Sequence, residues 1–467
     1  MIHRAVTDSG CLGDFVLTNA PVSAKMSDLR HGPVQRFVVQ IAGRLCCFGR
    51  GGGLCNAGRT ESAASDFLSG GLRESRTRIL GIINHSQGDC VSMSGGIRRI
   101  PWMIVIASLG ITVLGLSGLI RADELYGRTQ LVERQLIWLF LAVPVMCLAA
   151  AVPYRVFRPW SVAAYMACQL LLLVTLFMAP INGSRRWIPL GLFDFQASEP
   201  AKLSFILALA AWLMHRDSQK TAVGLLAPTG LTLLPMLLIV REPDLDTALL
   251  FVPVLGCMLF AAGARISHLA IAGLLGVACL PLLWSQMTPE QKSRIVSVVI
   301  QKDGGSAPSG DGFHLHQSKQ VLALGGVKGS FLQDEPPVDD PSAWQLPASR
   351  TDFVFVMIGE KFGLAGCGLV MLFYAILIWS GLWTALRTQE PWGRLVAVGI
   401  TVLLGSQVLL NTGMTVGLLP ITGTALPLCS YGGSSLLSTY ASVGLLINIR
   451  MHQTWDVAGQ PFAVGRA

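Results

Sequence analysis

A chain of 467 residues with 52% hydrophobic and 13% charged residues and a mean hydropathy of +0.56 departs from soluble domains, where about a quarter of residues are charged. Too few charges remain to cover a soluble surface. The formal charge of +8 does not point to nucleic acid, because many of the arginines sit singly beside apolar runs and no dense basic patch is interleaved with aromatics.

Residues 1–92 are weakly patterned and hold Cys11, Cys46, Cys47, Cys55 and Cys90. Cys46-Cys47 followed by Cys55 lacks the paired spacing of a zinc site. The segment also lacks the basic start, apolar run and small-residue cleavage site of a secretory signal. It reads as a disordered cytoplasmic tail or as a translation start placed too early, with Met93 the natural alternative, and the second reading is favoured.

From residue 93 to 452, apolar runs approach the ~20 residues that span hydrocarbon. They lie at about 100–120, 131–152, 159–180, 200–215, 222–240, 245–263, 267–285, 353–386, 394–418 and 434–450. The fold class is therefore an all-α integral membrane protein of about ten transmembrane helices, with a large extracytoplasmic loop, 286–352, between spans seven and eight. An even number of spans places both ends on one side. Arg98, Arg99, Arg155, Arg158, Arg216, Lys220, Arg265, Arg387, Arg394 and Arg450 all fall in one alternate set of loops or ends, which the positive-inside rule makes cytoplasmic. The short tail 453–467 joins them, while 181–199, 241–244, 286–352 and 419–433 face outward.

Polar groups near a membrane are expensive and tend to be kept for a task, so function is sought in the outward segments. In NGSRRWIPLGLFDFQASEPAKL, from Asn182, Trp187 is a candidate site residue or an interfacial anchor, and Glu199 and Lys202 stand three residues apart on one helix face. In REPDLDTALL, Arg241, Glu242, Asp244 and Asp246 crowd a span boundary, where they pair with one another or bind a cation. RTDFVFVMIGEKFGLAG puts Asp352 at the mouth of the eighth span and Glu360 two turns deeper. NTGMTVGLLPITGTALPLCSYGGSSLLS breaks the chain with Pro420, Gly423, Pro427, Gly432 and Gly433. Irregular backbone at membrane depth is tolerated only where protein buries it or water reaches it, so a cavity is expected there.

These four segments, in this order and together with HQSKQVLALGGVKG at 316–329, resemble the SEDS family of bacterial peptidoglycan polymerases. The likeness covers about residues 95–450, and NTGM and LLPITG look more like the RodA elongation branch than the FtsW division branch. The resemblance implies a glycosyltransferase that polymerises lipid II at the outer face of the bacterial cytoplasmic membrane, with the family's essential aspartate at Asp352 and its first-loop tryptophan at Trp187. Asp352 is then the base that takes the proton of an acceptor sugar hydroxyl. The departing lipid pyrophosphate needs cations aimed at it; Arg186, Lys202, Arg241 and Arg350 are the candidates, aided by a divalent cation, Mg or Mn, if carboxylates hold one. Gln317, Ser318 and Tyr431 join the candidate substrate-binding residues. Glu199, Asp244, Glu360, Gly432 and Gly433 are expected to serve structure or ion pairing. No organic cofactor is expected.

Expected partners are lipid II, a class B penicillin-binding transpeptidase, other membrane proteins of the elongation or division complex, and membrane lipids. The loop departs from the family pattern. LPASRTDF has Ala348 where a glutamate is usual and Arg350 where a histidine is; Arg350 would then hold Asp352 ionised or contact pyrophosphate. Ala197 replaces a usual proline, Asp246 a usual glycine and Lys361 a second usual glutamate, and the acidic, proline-rich stretch 330–345, not recognisable from the family pattern, reads as a mobile flap, a partner-docking segment or drift. Two other functions use the same spans: a flippase for lipid II, and a scaffold for the transpeptidase without catalysis.

Overall fold

The computed structural model describes residues 100–453 apart from 180–184, 190, 192–193, 215–220, 222, 279–280, 282–283, 286, 300–310, 333–345 and 347. The expectations for residues 1–92, and for most of 330–345 and 453–467, lie outside the described residues.

Ten apolar helices occupy the ten expected positions: α1 (Trp102–Tyr126), α2 (Leu131–Ala151), α3 (Ser161–Thr175), α4 (Ser198–Leu213), α5 (Leu226–Arg241), α6 (Leu245–Ala261), α7 (Ile266–Ala278), α10 (Val354–Arg387), α11 (Pro391–Thr415) and α12 (Gly433–Met451). Two more, α8 (Pro289–Val299) and α9 (Asp311–Gly325), are built from the 286–352 segment. A short antiparallel hairpin, β1 (Trp187–Pro189) and β2 (Asp194–Gln196), pairs Trp187 with Gln196. Among the described residues, five helices are long and apolar enough to cross a membrane by length and composition, while α3, α6 and α7 are shorter apolar helices.

Helix α10 packs along α1 and α11, α12 along α2, and α6 along α5 and α11. The pattern of burial is inverted relative to a water-soluble protein. Phe140, Phe177 and Leu386 are about four-fifths exposed, as suits side chains facing lipid tails, whereas polar groups are turned inward. Helices in lipid gain little from burying apolar surface against one another, so interhelical hydrogen bonds and small residues hold them. Asn448 of α12 donates to the carbonyls of Ala149, Ala150 and Val152 at the C-terminal end of α2, and Tyr440 and Thr112 share a hydrogen bond of 2.8 Å between α12 and α1.

Helix α10 is broken rather than continuous. Gly363 adopts φ 65°, ψ −157°, a left-handed conformation that a side chain would strain. The break lets the turn after α9 approach closely: Leu364 N–H donates to the Gly326 carbonyl at 3.0 Å. Just before it, buried Glu360 accepts from Arg121 of α1 at 2.6 Å (Nε) and 2.7 Å (Nη2), and the same guanidinium donates to Ser330 Oγ at 3.0 Å. One arginine thus fastens α1, α10 and the segment after α9.

Candidate active site

Asp352 is presented by a tight turn. Ala348 takes φ 54°, and its carbonyl accepts the N–H groups of Thr351, Asp352 and Phe353 at 3.1, 3.0 and 3.2 Å. A non-glycine residue in the left-handed region stores strain that the surroundings must offset. Asn411 of α11 does so by donating Nδ2 to the carbonyls of both Asp352 and Thr424, each at 2.8 Å. The Tyr431 N–H donates to the Arg350 carbonyl at 3.1 Å. The turn before α10 and the irregular segment 416–432 are therefore stitched together on both sides of the aspartate.

A second carboxylate enters from another element. Asp246, in the first turn of α6, accepts the Gly423 N–H at 2.9 Å. A Cβ placed on Gly423 would stand 3.9 Å from Asp246 Oδ2 and 3.9 Å from Asp352 Oδ2, so the two carboxylates flank that glycine. Arg294 of α8 lies 3.9 Å from Asp246. Arg186 lies 3.5 Å from Asp244 and donates to the Pro243 carbonyl at 3.2 Å. Burial, then the Asp246 carboxylate, pushes the Asp352 carboxyl up to about 6, against the Thr351 hydroxyl, Arg186 and Arg294. An acid of that strength suits proton transfer near neutral pH. Burial likewise pushes Glu242 up to about 7, against a hydrogen bond from Thr175.

A family model described as cell cycle protein, covering FtsW, RodA and SpoVE, matches residues 98–455. The chain belongs to that family, the SEDS proteins. Stage V sporulation protein E of Bacillus subtilis is 32% identical, over 76% of this chain and 97% of the relative. Peptidoglycan glycosyltransferase MrdB of Escherichia coli K12 is 33% identical, over 69% and 86%. Among solved structures, a peptidoglycan synthase complex that coordinates polymerization and crosslinking contains a chain matching at a TM-score of 0.64 and 30% identity, over 76% of this chain and 99% of the other. The rod shape determining protein RodA of Thermus thermophilus matches at 0.57 and 27%, over 76% and 98%.

Not every residue expected at a SEDS site gathers around Asp352. Arg350 is a correction: its guanidinium turns away, donating to Asp123 Oδ1 at 2.7 Å and to the Gly127 carbonyl at 2.7 Å, so it anchors the turn to the end of α1 instead of holding Asp352 ionised or facing a pyrophosphate. Arg241 is exposed and forms no ion pair among the described residues. Lys202 is buried and neutralised by Glu199 at 2.9 Å, in a cleft shared with Gln407 and Thr439. Gln407 precedes Asn411 by one helical turn on α11, which puts both on one face. Ser318 donates to the Thr415 carbonyl at 2.7 Å and so docks α9 on the end of α11, with Gln317 buried beside it.

Trp187 is half-buried on β1, and the hairpin is tied to α12 by the Gln196 N–H donating to Ser434 Oγ at 3.1 Å. The Gly432 N–H donates to Gln135 of α2 at 3.3 Å, and a side chain at Gly433 would run into the Trp138 ring. Asp244 is the N-cap of α6, accepting from Thr247 N–H at 3.2 Å and Thr247 Oγ1 at 2.9 Å. Arg294, Asn411, Asp123 and Arg121 were not singled out from sequence. Asn411 sits inside the NTGM motif, a readable signal; a lone arginine in a polar loop helix carries none.

Among the described residues, the donor set around Asp352 does not fit a resident divalent cation. Among the described residues no three carboxylate, imidazole or thiolate groups converge, Asp244 is committed to its cap and to Arg186, and Asp246 already faces a backbone N–H and Arg294. A hard cation wants several oxygen donors without a competing guanidinium.

Proposed function

We propose that the chain is a peptidoglycan glycosyltransferase that polymerises lipid II into glycan strands at the outer face of the bacterial cytoplasmic membrane. Family membership supports the reaction class, and one observation carries the site: Asp352, on a strained and stapled turn, stands beside Asp246 within the field of Arg186 and Arg294. The hydroxyl oxygen of the acceptor sugar attacks the anomeric carbon of the donor, the bond from that carbon to the phosphate oxygen breaks with its electron pair, and the hydroxyl proton passes to Asp352. Arg186 and Arg294 face the negative charge that builds on the departing pyrophosphate, where fixed cations act most strongly. The lipid tail lies between helices.

The arginine bias of alternate loops supports an orientation with both termini cytoplasmic and the Asp352 turn outward. The similarity to a synthase complex that couples polymerization to crosslinking supports a class B penicillin-binding transpeptidase as partner. NTGM and LLPITG favour an elongation role over division.

Purified protein supplied with lipid II, alone and with such a transpeptidase, is expected to yield glycan chains resolved by gel electrophoresis. Vesicles that show lipid II translocation and no glycan under any partner condition would overturn the reading. Asn411→Ala is expected to leave two buried carbonyls short of a donor, costing about 1–3 kcal/mol, and to lower polymerisation further by loosening the Asp352 turn. Thermal unfolding and initial rates measured on the same sample check both effects.

A further inference from the structure

We propose that Asp246 is a positioning residue that acts through Asp352, a standing negative charge against which Asp352 receives the proton of the attacking hydroxyl. This rests on the glycosyltransferase reading above and adds to it a residue whose side chain the reaction step itself does not use.

The two carboxylates come from different elements, the first turn of α6 and the turn before α10, and meet at Gly423 of a third segment. Their surroundings are unequal. Asp246 Oδ2 is held by the Gly423 N–H at 2.9 Å and faces Arg294 at 3.9 Å. It also stands at the positive end of α6, where a negative charge is favoured. Arg186 and the Asp244 carboxylate also lie within electrostatic reach of it. Asp352 is faced by Asp246, Arg186, Arg294 and the Thr351 hydroxyl, and its carboxylate has no backbone N–H donor among the described residues.

When two carboxylates share a site, the one with fixed donors keeps its charge and the other takes the proton more readily. Proton transfer from the acceptor hydroxyl to Asp352 removes one of two neighbouring negative charges. The repulsion between them is therefore relieved as the transition state is reached, and a group that helps the transition state more than the ground state speeds the reaction. The acid limb of the rate profile then belongs to the pair, not to either residue alone.

Two variants separate charge from structure. Asp246→Asn keeps an oxygen to accept the Gly423 N–H and removes the charge; Asp246→Gly removes both. Initial polymerisation rates are measured between about pH 5 and pH 8.5, the range in which a perturbed carboxyl titrates. In parallel, carbodiimide-driven amide formation at Asp352, located by mass spectrometry, reports its protonation without turnover. The wild-type labelling midpoint is expected near 6. In both variants it moves to lower pH by about half a unit or more, as loss of a partly screened neighbouring charge requires, and the plateau rate falls several-fold. The proposal is overturned if Asp246→Asn keeps the wild-type labelling midpoint, even if its rate falls, because Asp246 would then serve structure alone. A shifted midpoint in a protein whose wild type makes no glycan would uphold the coupling of the two carboxylates and count against the glycosyltransferase reading alone.

Discussion

Asp352→Asn is expected to abolish polymerisation while raising the melting temperature at pH 7.5. In the folded protein, burial and the Asp246 charge lift the carboxyl from 3.8 to about 6, so the native state holds its proton where the unfolded chain has lost it. Stability from this group is fully present below pH about 4, the usual aspartate value, and is lost as pH rises through about 6. Above that, the folded state carries an ionised group it disfavours, a penalty of order 1–3 kcal/mol after allowance for partial exposure. Asparagine removes the penalty, so its advantage should be clear at pH 7.5 and vanish toward pH 4. Differential scanning fluorimetry of both proteins across that range reads it directly. A lower melting temperature for Asp352→Asn at pH 7.5 would mean that the carboxylate serves the fold.

Arg121→Ala is expected to be among the most destabilising single changes away from the site. Glu360 has no exposed surface, and its carboxylate depends on the Arg121 fork at 2.6 and 2.7 Å. Removing one partner of a buried ion pair leaves the other charge uncompensated and costs about 3–5 kcal/mol. Replacing both, Arg121→Met with Glu360→Met, leaves no orphaned charge and should recover most of the loss. The comparison of single and double variants by thermal unfolding separates an ion pair that the fold needs from one that it only tolerates. Equal destabilisation in the single and double variants would show that packing, not charge, holds this junction.

Sequence patterning carried the scaffold further than the site. Long apolar runs and their arginine-marked loops located all ten helices, because the bilayer constrains length and composition directly. An interaction between near neighbours was legible too: Glu199 and Lys202 lie three residues apart on one helix and pair. What the sequence concealed is what depends on distant pairing. Asp246 meets Gly423 across 177 positions and Arg350 meets Asp123 across 227; neither follows from periodicity or local charge. Arg350 shows the consequence, since proximity to Asp352 in sequence suggested a partner for that carboxylate when the side chain is used to pin the turn from behind. The break at Gly363 was equally hidden, because a glycine inside an apolar run reads as a small packing residue until the chain bends there.

Whether Asp352 is the proton acceptor of a lipid II polymerase is read most directly from a polymerisation assay of wild type and Asp352→Ala in parallel, each with its transpeptidase partner and matched for folding and membrane insertion. A ladder of glycan products is expected from the wild type and none from the variant. Undiminished product from Asp352→Ala would show that another group accepts the proton.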